Sequence, residues 1–125
     1  MSDGTEFPSD SQGAGDRAAE RRAVSRYSLI AEVEVFDPIE RTKLKASVSE
    51  IGAHGCYVRV PDPLKEHTVI QLLIQRRGEA FKSWGMVVYV HEGQGMGINF
   101  FRPEPSQVKT LLSWIGDLRV QRQAL

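Results

Sequence analysis

The chain has 125 residues, with 16 basic and 16 acidic side chains and a formal net charge of zero. This length allows one domain whose core is large enough to fold without disulfides or bound metals. A balanced charge argues against a general nucleic-acid binder and against a polybasic membrane ligand, because the surfaces of both carry a positive excess.

The chain begins with a predicted disordered leader over residues 1–19, which is rich in Ser, Gly, Asp and Ala and has no hydrophobic period. A basic stretch follows, with Arg17, Arg21, Arg22 and Arg26 ahead of the first predicted strand. A guanidinium group is always charged and offers a planar fork of donors, so this arm is a candidate site for a phosphate or a guanine edge. The alternative is an ordinary solvated linker.

After the arm, short apolar runs alternate with Pro and Gly turns, a pattern typical of an all-β barrel or sandwich. The six predicted strands cover residues 28–36, 43–51, 56–60, 69–75, 80–91 and 96–101. In the second strand Leu44, Ala46 and Val48 alternate with polar residues, which predicts one solvated face.

The fifth predicted strand is apolar on both faces. Phe81, Val87 and Tyr89 are expected on one face, and the other face takes Trp84, Met86, Val88 and Val90. One face fills the interior of the domain, and the other therefore needs cover from outside.

A C-terminal helix is predicted to supply that cover. Its apolar residues recur at helical spacing after Pro105, namely Val108, Leu111, Leu112, Ile115 and Leu118. This stripe predicts a helix of about four turns, after which the tail 119–125 frays. Trp114 flanks the stripe and either completes the packing or lies at its edge.

Catalysis and metal binding are not expected. His54, Cys56 and His91 suggest a thiolate–base pair or a metal site, but the plainer interpretation is that Cys56 is a small buried residue and that the protein is not an enzyme.

The sequence also bears on location and on RNA binding. Because Cys56 is the single cysteine and no apolar signal segment follows Met1, we expect a cytoplasmic protein. RNA binding would need exposed aromatic residues, whereas the aromatic residues in the strands are expected in the core. These are Tyr57, Phe81, Trp84 and Tyr89.

Two sequence motifs then point to a family. Arg22-Ala23-Val24-Ser25-Arg26 forms an RxxxR motif ahead of the first strand, and residues 85–90 and 95–100 form a pair of closing strands. With the order of the elements, these motifs resemble PilZ domains, which are six-stranded antiparallel β-barrels with a C-terminal α-helix that bind the bacterial second messenger cyclic di-GMP. The resemblance covers residues 20–118.

A second family motif, [D/N]xSxxG at the end of the second strand, can be aligned in two ways. In the favoured frame, Glu50-Ile51-Gly52-Ala53-His54-Gly55, Glu50 replaces Asp or Asn and Gly52 replaces Ser. The other frame, residues 47–52, keeps the Ser and the Gly but loses the acid. The first frame is favoured because the family glycine leads directly into a strand, as Gly55 does here.

The resemblance implies a cyclic di-GMP receptor without metal or other cofactor. The implied ligand-binding residues are Arg21, Arg22, Arg26, Glu50, Gly52 and Gly55. Residues 21–27 are then expected to fold over the nucleotide and to alter a surface seen by a downstream protein partner of unknown identity. Neither nucleic-acid binding nor membrane insertion is expected. The alternative is a degenerate PilZ-like interaction module that does not bind the nucleotide.

Overall fold

A computed structural model describes residues 25–124, so Arg21, Arg22 and the predicted leader lie outside the described part of the chain. The elements are β1 (Arg26–Asp37), β2 (Thr42–Gly52), β3 (Gly55–Arg59), β4 (Val69–Arg76), β5 (Glu79–His91), β6 (Gly95–Phe101) and α1 (Pro105–Ala124). All six predicted strands are present, and their ends differ from the prediction by at most two residues. The turn signals therefore located the strands correctly.

The strands form a closed barrel in the order β1-β2-β3-β6-β5-β4, and every neighbouring pair is antiparallel. This confirms the predicted all-β barrel. Alternate residues point inward, so that Val35, Val48, Ile74 and Phe81 are fully buried. Closure gives every strand two paired neighbours, which fixes the register of each strand from both sides.

A β-bulge in β5 changes which side chains face outward. Val87 lies opposite Ile98, but the next residue to pair, Tyr89, lies opposite Gly97, so Val88 is the extra residue. Since a one-residue insertion reverses the alternation, Tyr89 faces outward and is 38% exposed, while Val90 packs against the core. The prediction that Tyr89 shares a face with Phe81 and Val87, and Val90 with Trp84, is therefore wrong.

The helix α1 packs against β5 and β1, which flank β4 in the barrel. Trp114 is fully buried, and its Nε1 donates to Glu79 Oε1 at 2.9 Å, so it completes the packing. Leu111, Ile115 and Leu118 are buried as predicted. Leu112, in contrast, is 53% exposed. Among residues 25–124, no helix combines the length and the apolar character needed to cross a membrane.

The helix also runs further than the sequence predicts, because it continues past Leu118 to Ala124. Its final turns contact the start of β1: Arg119 Nε donates to Tyr27 Oη at 3.4 Å, and Arg122 Nη2 donates to the Arg26 carbonyl at 3.2 Å. The Arg122 guanidinium also lies 4.0 Å from the centroid of the Tyr27 ring, a cation–π contact. These contacts hold a segment that the sequence predicted to fray.

Candidate functional site

The pairing of β1 with β2 brings three of the predicted site residues together. Arg26 lies opposite Gly52, and Ser28 lies opposite Glu50. A Cβ atom built on Gly52 would lie 3.7 Å from Arg26 Cδ and 2.8 Å from the Ser25 carbonyl oxygen. Ser25 and Arg26, where the basic arm joins β1, form the root of the arm. They run directly over Gly52, which has no side chain to keep them away.

Gly55 occupies the first position of β3 and lies opposite Asn99 of β6. A Cβ atom on Gly55 would overlap the carbonyl oxygen of Ile98, and that atom belongs to the backbone of the neighbouring strand. The position therefore requires glycine because the two backbones approach closely. Gly55 supports the site through the barrel wall, with no side chain of its own to offer a ligand.

Three ring side chains form a cluster on the outer face of β3 and β5. The outer aromatic cluster consists of Tyr57, Tyr89 and His91, whose ring centroids lie 5.2–6.2 Å apart. The Tyr57 hydroxyl lies 3.0 Å from His91 Nδ1. Tyr89 is 38% exposed and Tyr57 is half-buried, so π-faces are available at the surface. The expectation that both tyrosines belong to the core is wrong.

Two glycines of β6 form the floor beneath these rings. A Cβ atom on Gly97 would overlap the Tyr89 ring, and one on Gly95 would lie 2.7 Å from Tyr57 Cε2. The tyrosine rings therefore rest directly on the backbone of β6. Glycine in a strand marks a close approach to the backbone, but Gly95-Met96-Gly97 does not show by itself which side chains of the neighbouring strands make that approach.

The outer aromatic cluster is continuous with the predicted site. Glu50 lies opposite Tyr57, Tyr57 opposite Gly97, and Gly97 opposite Tyr89. These pairs form a single row across β2, β3, β6 and β5. Because Ser28 lies opposite Glu50, the row begins two residues from Arg26. The guanidinium of Arg26, the carboxylate of Glu50 and the rings of two tyrosines thus share one side of the barrel.

The hydroxyl of Tyr57 is held in its neutral form. Burial raises the pKa of Tyr57, with nearby Tyr89 and Glu50 adding to the effect and the Arg59 charge opposing it. A tyrosine with a raised pKa keeps its proton at neutral pH. Tyr57 therefore adds a neutral polar group to the row and no further charge.

The residues that suggested enzyme chemistry do not form a reactive centre. Cys56 is fully buried, and this burial raises the pKa of its thiol to about 12, so the nucleophilic thiolate is suppressed. The prediction that Cys56 is a buried apolar residue is confirmed. His54 is exposed. Within the described residues, His, Cys, Asp and Glu form no group of three or more suited to a metal ion.

The helix α1 also fixes the root of the arm, through contacts of Arg119 and Arg122 with Tyr27. Tyr27, next to Arg26, is 7% exposed. Hydrogen bonds from Arg119 and then from Ser25 lower the pKa of Tyr27. This contact could not be predicted from the sequence, because Tyr27 and Arg119 are 92 positions apart.

The PilZ domain family model matches residues 16–117 of this chain. The chain belongs to the PilZ family. Three similar solved structures are the Bacillus subtilis inhibitor of motility MotI, the PilZ domain of Escherichia coli YcgR with c-di-GMP, and the PilZ domain of CeSA from a cellulose-synthesizing bacterium. No curated protein matches this chain.

The three structures share the PilZ fold at low sequence identity. MotI is 16% identical with a TM-score of 0.66, and the alignment covers 83% of this chain and 52% of MotI. The YcgR domain is 13% identical with a TM-score of 0.69, covering 83% and 95%. The CeSA domain is 16% identical with a TM-score of 0.61, covering 76% and 98%. This chain thus spans about half of MotI and almost all of the two isolated PilZ domains.

The glycine requirement at the second motif can be tested by stability. Gly55→Ala forces a methyl group against the β6 backbone and should lower the free energy of unfolding by about 1–3 kcal/mol. Gly116→Ala in α1 is the matched control, because a Cβ there meets no atom within 4 Å, and it should raise that free energy by about 0.5–1 kcal/mol. Urea unfolding measures both. Equal stability of Gly55→Ala and wild type would disprove the close approach.

Proposed function

We propose that this PilZ domain is a receptor for cyclic di-GMP and that the nucleotide binds on the outer row between Arg26 and Tyr89. The main support is the position of Arg26, the second arginine of the RxxxR motif, over Gly52 and two residues from the strand position opposite Glu50. Family membership and the c-di-GMP-bound structures of YcgR agree with this proposal.

The polar groups of the site match the polar groups of the ligand. Arg26, with Arg21 and Arg22 of the arm, takes the phosphodiesters and the O6/N7 edges of guanine through paired hydrogen bonds. Glu50 accepts from the N1–H and N2–H groups of guanine. Each hydrogen bond to a charged partner contributes about 1.5–3 kcal/mol. No metal or other cofactor is part of the proposal.

The outer aromatic cluster adds a stacking surface that the sequence motifs do not include. Tyr89 exposes part of its ring beside Gly97, and Tyr57 lies in the same row directly opposite Glu50. A guanine whose polar edge is bound by Glu50 can therefore place its face on a tyrosine. Stacking of a base on an aromatic side chain contributes about 1–3 kcal/mol. The two tyrosines thus compensate for the hydroxyl that is lost at Gly52.

The first motif frame fits this proposal better than the second. Its acidic position, Glu50, lies opposite Ser28 beside the root of the arm, whereas Ser47, at the same motif position in the other frame, lies opposite Glu32, further along β1. Replacing Gly52 by the family serine would also bring a Cβ within 2.8 Å of the Ser25 carbonyl oxygen. Glycine at this position therefore leaves room for the arm to lie against the backbone of β2.

In the proposed mechanism, residues before Arg26 close over the bound nucleotide and change the surface offered to a protein partner. Arg26 and Tyr27 already belong to β1, so the closing segment is shorter than the 21–27 segment expected from sequence. Ordering one residue costs about 1–2 kcal/mol, and fixing these two in advance lowers the cost of closure. We assign this receptor role to the cytoplasm, consistent with the single reduced Cys56.

A second candidate function is a PilZ interaction module without nucleotide. The observation that favours it is the departure of Glu50 and Gly52 from the family motif. Under this alternative, removing the charge of Arg26 leaves partner binding unchanged.

Titration calorimetry of the full chain with cyclic di-GMP tests the receptor proposal. Wild type should give saturable heat, and Arg26→Gln should bind about 10- to 100-fold more weakly, because one charged fork is lost. Arg77→Gln is the matched control: it removes the same charge at the exposed β4–β5 turn and should bind like wild type. No heat up to high micromolar nucleotide would refute the receptor function.

The stacking role of Tyr89 has its own test. Tyr89→Leu removes the π-face and should weaken cyclic di-GMP binding about five- to tenfold. Tyr89→Phe keeps the ring and should bind within about twofold of wild type, because stacking needs no hydroxyl. The measurement is the dissociation constant of each variant, after thermal unfolding has verified that both are folded. If Tyr89→Leu binds cyclic di-GMP with wild-type affinity, Tyr89 is not part of the binding site.

A further inference from the structure

A second concave surface lies on another outer face of the barrel. The β1–β4–β5 groove has a volume of about 730 Å³ and is bounded by these three strands and by the segment that leads into α1. Its apolar floor is formed by Phe36, Leu73 and Trp84, all of which are half-buried. Lys82 and Arg102 lie on its rim and are exposed.

The floor of the groove is a row of outward-facing side chains. Phe36 of β1 lies opposite Gln71 of β4, Gln71 opposite Trp84 of β5, and Trp84 opposite Phe101 of β6. Trp84 and Phe101 are stacked, with centroids 6.4 Å apart. This row is separate from the row that links Glu50 to Tyr89.

Contrary to the prediction from sequence, the helix does not cover this floor. It reaches the rim of the groove at Gln107, whose Oε1 accepts a hydrogen bond of 2.6 Å from the Lys82 backbone N–H. Trp84 nevertheless keeps part of its surface accessible. An apolar surface that is rimmed by polar residues marks an interaction site in soluble proteins. Trp and Arg, both present here, are also the residues that dominate binding energy at protein interfaces.

The groove lining carries three basic and two acidic side chains, an excess of one positive charge. Glu34 is already balanced, because Lys43 Nζ lies 3.9 Å from its carboxylate and Lys45 lies opposite it in the neighbouring strand. In the part of the chain that the structure describes, Lys82 and Arg102 form no ion pair. Glu104 is the remaining carboxylate of the lining. Because Lys82 and Arg102 together outweigh Glu104, the rim favours an occupant that carries carboxylates.

The closed barrel limits how a partner can bind. Each of the six strands is paired on both sides, so an incoming peptide cannot extend the sheet by backbone hydrogen bonds. Binding must use side chains, with a large apolar group on the floor and charged groups at the rim. The groove volume lies within the range of about 300–1,000 Å³ typical of ligand sites, so it suits a short segment.

We propose that the β1–β4–β5 groove binds a segment of a partner protein in which a large apolar side chain is flanked by carboxylates. The apolar side chain packs on Phe36 and Trp84, and the carboxylates pair with Lys82 and Arg102. This interaction is independent of nucleotide binding, because Phe36 lies near the end of β1 and Arg26 at its start.

The test uses the full chain and a synthetic peptide, Glu-Glu-Phe-Glu-Glu, followed by two-dimensional NMR. The indole N–H signal of Trp84 should shift on titration, whereas that of Trp114, which is fully buried, should not. Peptides with Ser in place of Phe, or Lys in place of Glu, should bind at least about tenfold more weakly if both the apolar contact and the charges contribute.

A matched pair of variants tests the rim. Lys82→Glu should weaken peptide binding about tenfold, whereas Lys65→Glu, an exposed residue outside the groove lining, should leave it unchanged. An unchanged Trp84 signal, or equal binding of the lysine peptide, would overturn the proposal. Arg26→Gln should bind the peptide normally, so failure here is distinguishable from failure of the receptor function.

Two other occupants give distinct results, and either would overturn the partner proposal. A Trp84 signal that shifts with protein concentration alone would assign the groove to a second copy of the chain. A change in that signal in Phe7→Ser, without added peptide, would assign it to the chain's own acidic N-terminal segment, where Phe7 follows Glu6.

Discussion

The register between β1 and β2 is the constraint on which the candidate site depends. It places Arg26 opposite Gly52 and Ser28 opposite Glu50, so both predicted motifs meet on the outer surface. A shift of one residue would turn the arginine toward the interior, where an unpaired charge is costly. Because the barrel is closed, β1 is also fixed by β4 on its other side. The position of the arm root therefore follows from the pairing of the whole sheet.

The arm root is fixed by long-range contacts with β2 and with α1. It lies on Gly52 of β2, and Tyr27 is covered by Arg119 and Arg122 of α1. Arg122 also donates to the carbonyl of Arg26 itself. Arg26 is therefore preorganised, which reduces the conformational entropy lost when a ligand binds. The contacts of Arg119 and Arg122 with Tyr27 and Arg26 thus link the end of α1 to the start of β1.

Strand positions, barrel class and the helix stripe could be predicted from sequence, because alternation and turn residues are local signals. The two motifs also named Arg26, Glu50 and Gly52, which the structure brings together, and their role in ligand binding stays a prediction. The outward position of Tyr89 could not be predicted, since it depends on a bulge at Val88 that reverses the alternation. No characteristic residue type marks this bulge in the sequence. The length of α1 was also missed, because its last turns are held by contacts with Tyr27, far away in sequence.

The most direct test of the account is an NMR titration of backbone amides with cyclic di-GMP. If the nucleotide binds on the row set by the β1–β2 register, shifts should concentrate at residues 26–28 and 50–57 and at Gly97 and Tyr89. The amide of Trp84, in the separate groove, should stay unchanged. Shifts centred on Trp84, or no shifts at saturating nucleotide, would contradict the account.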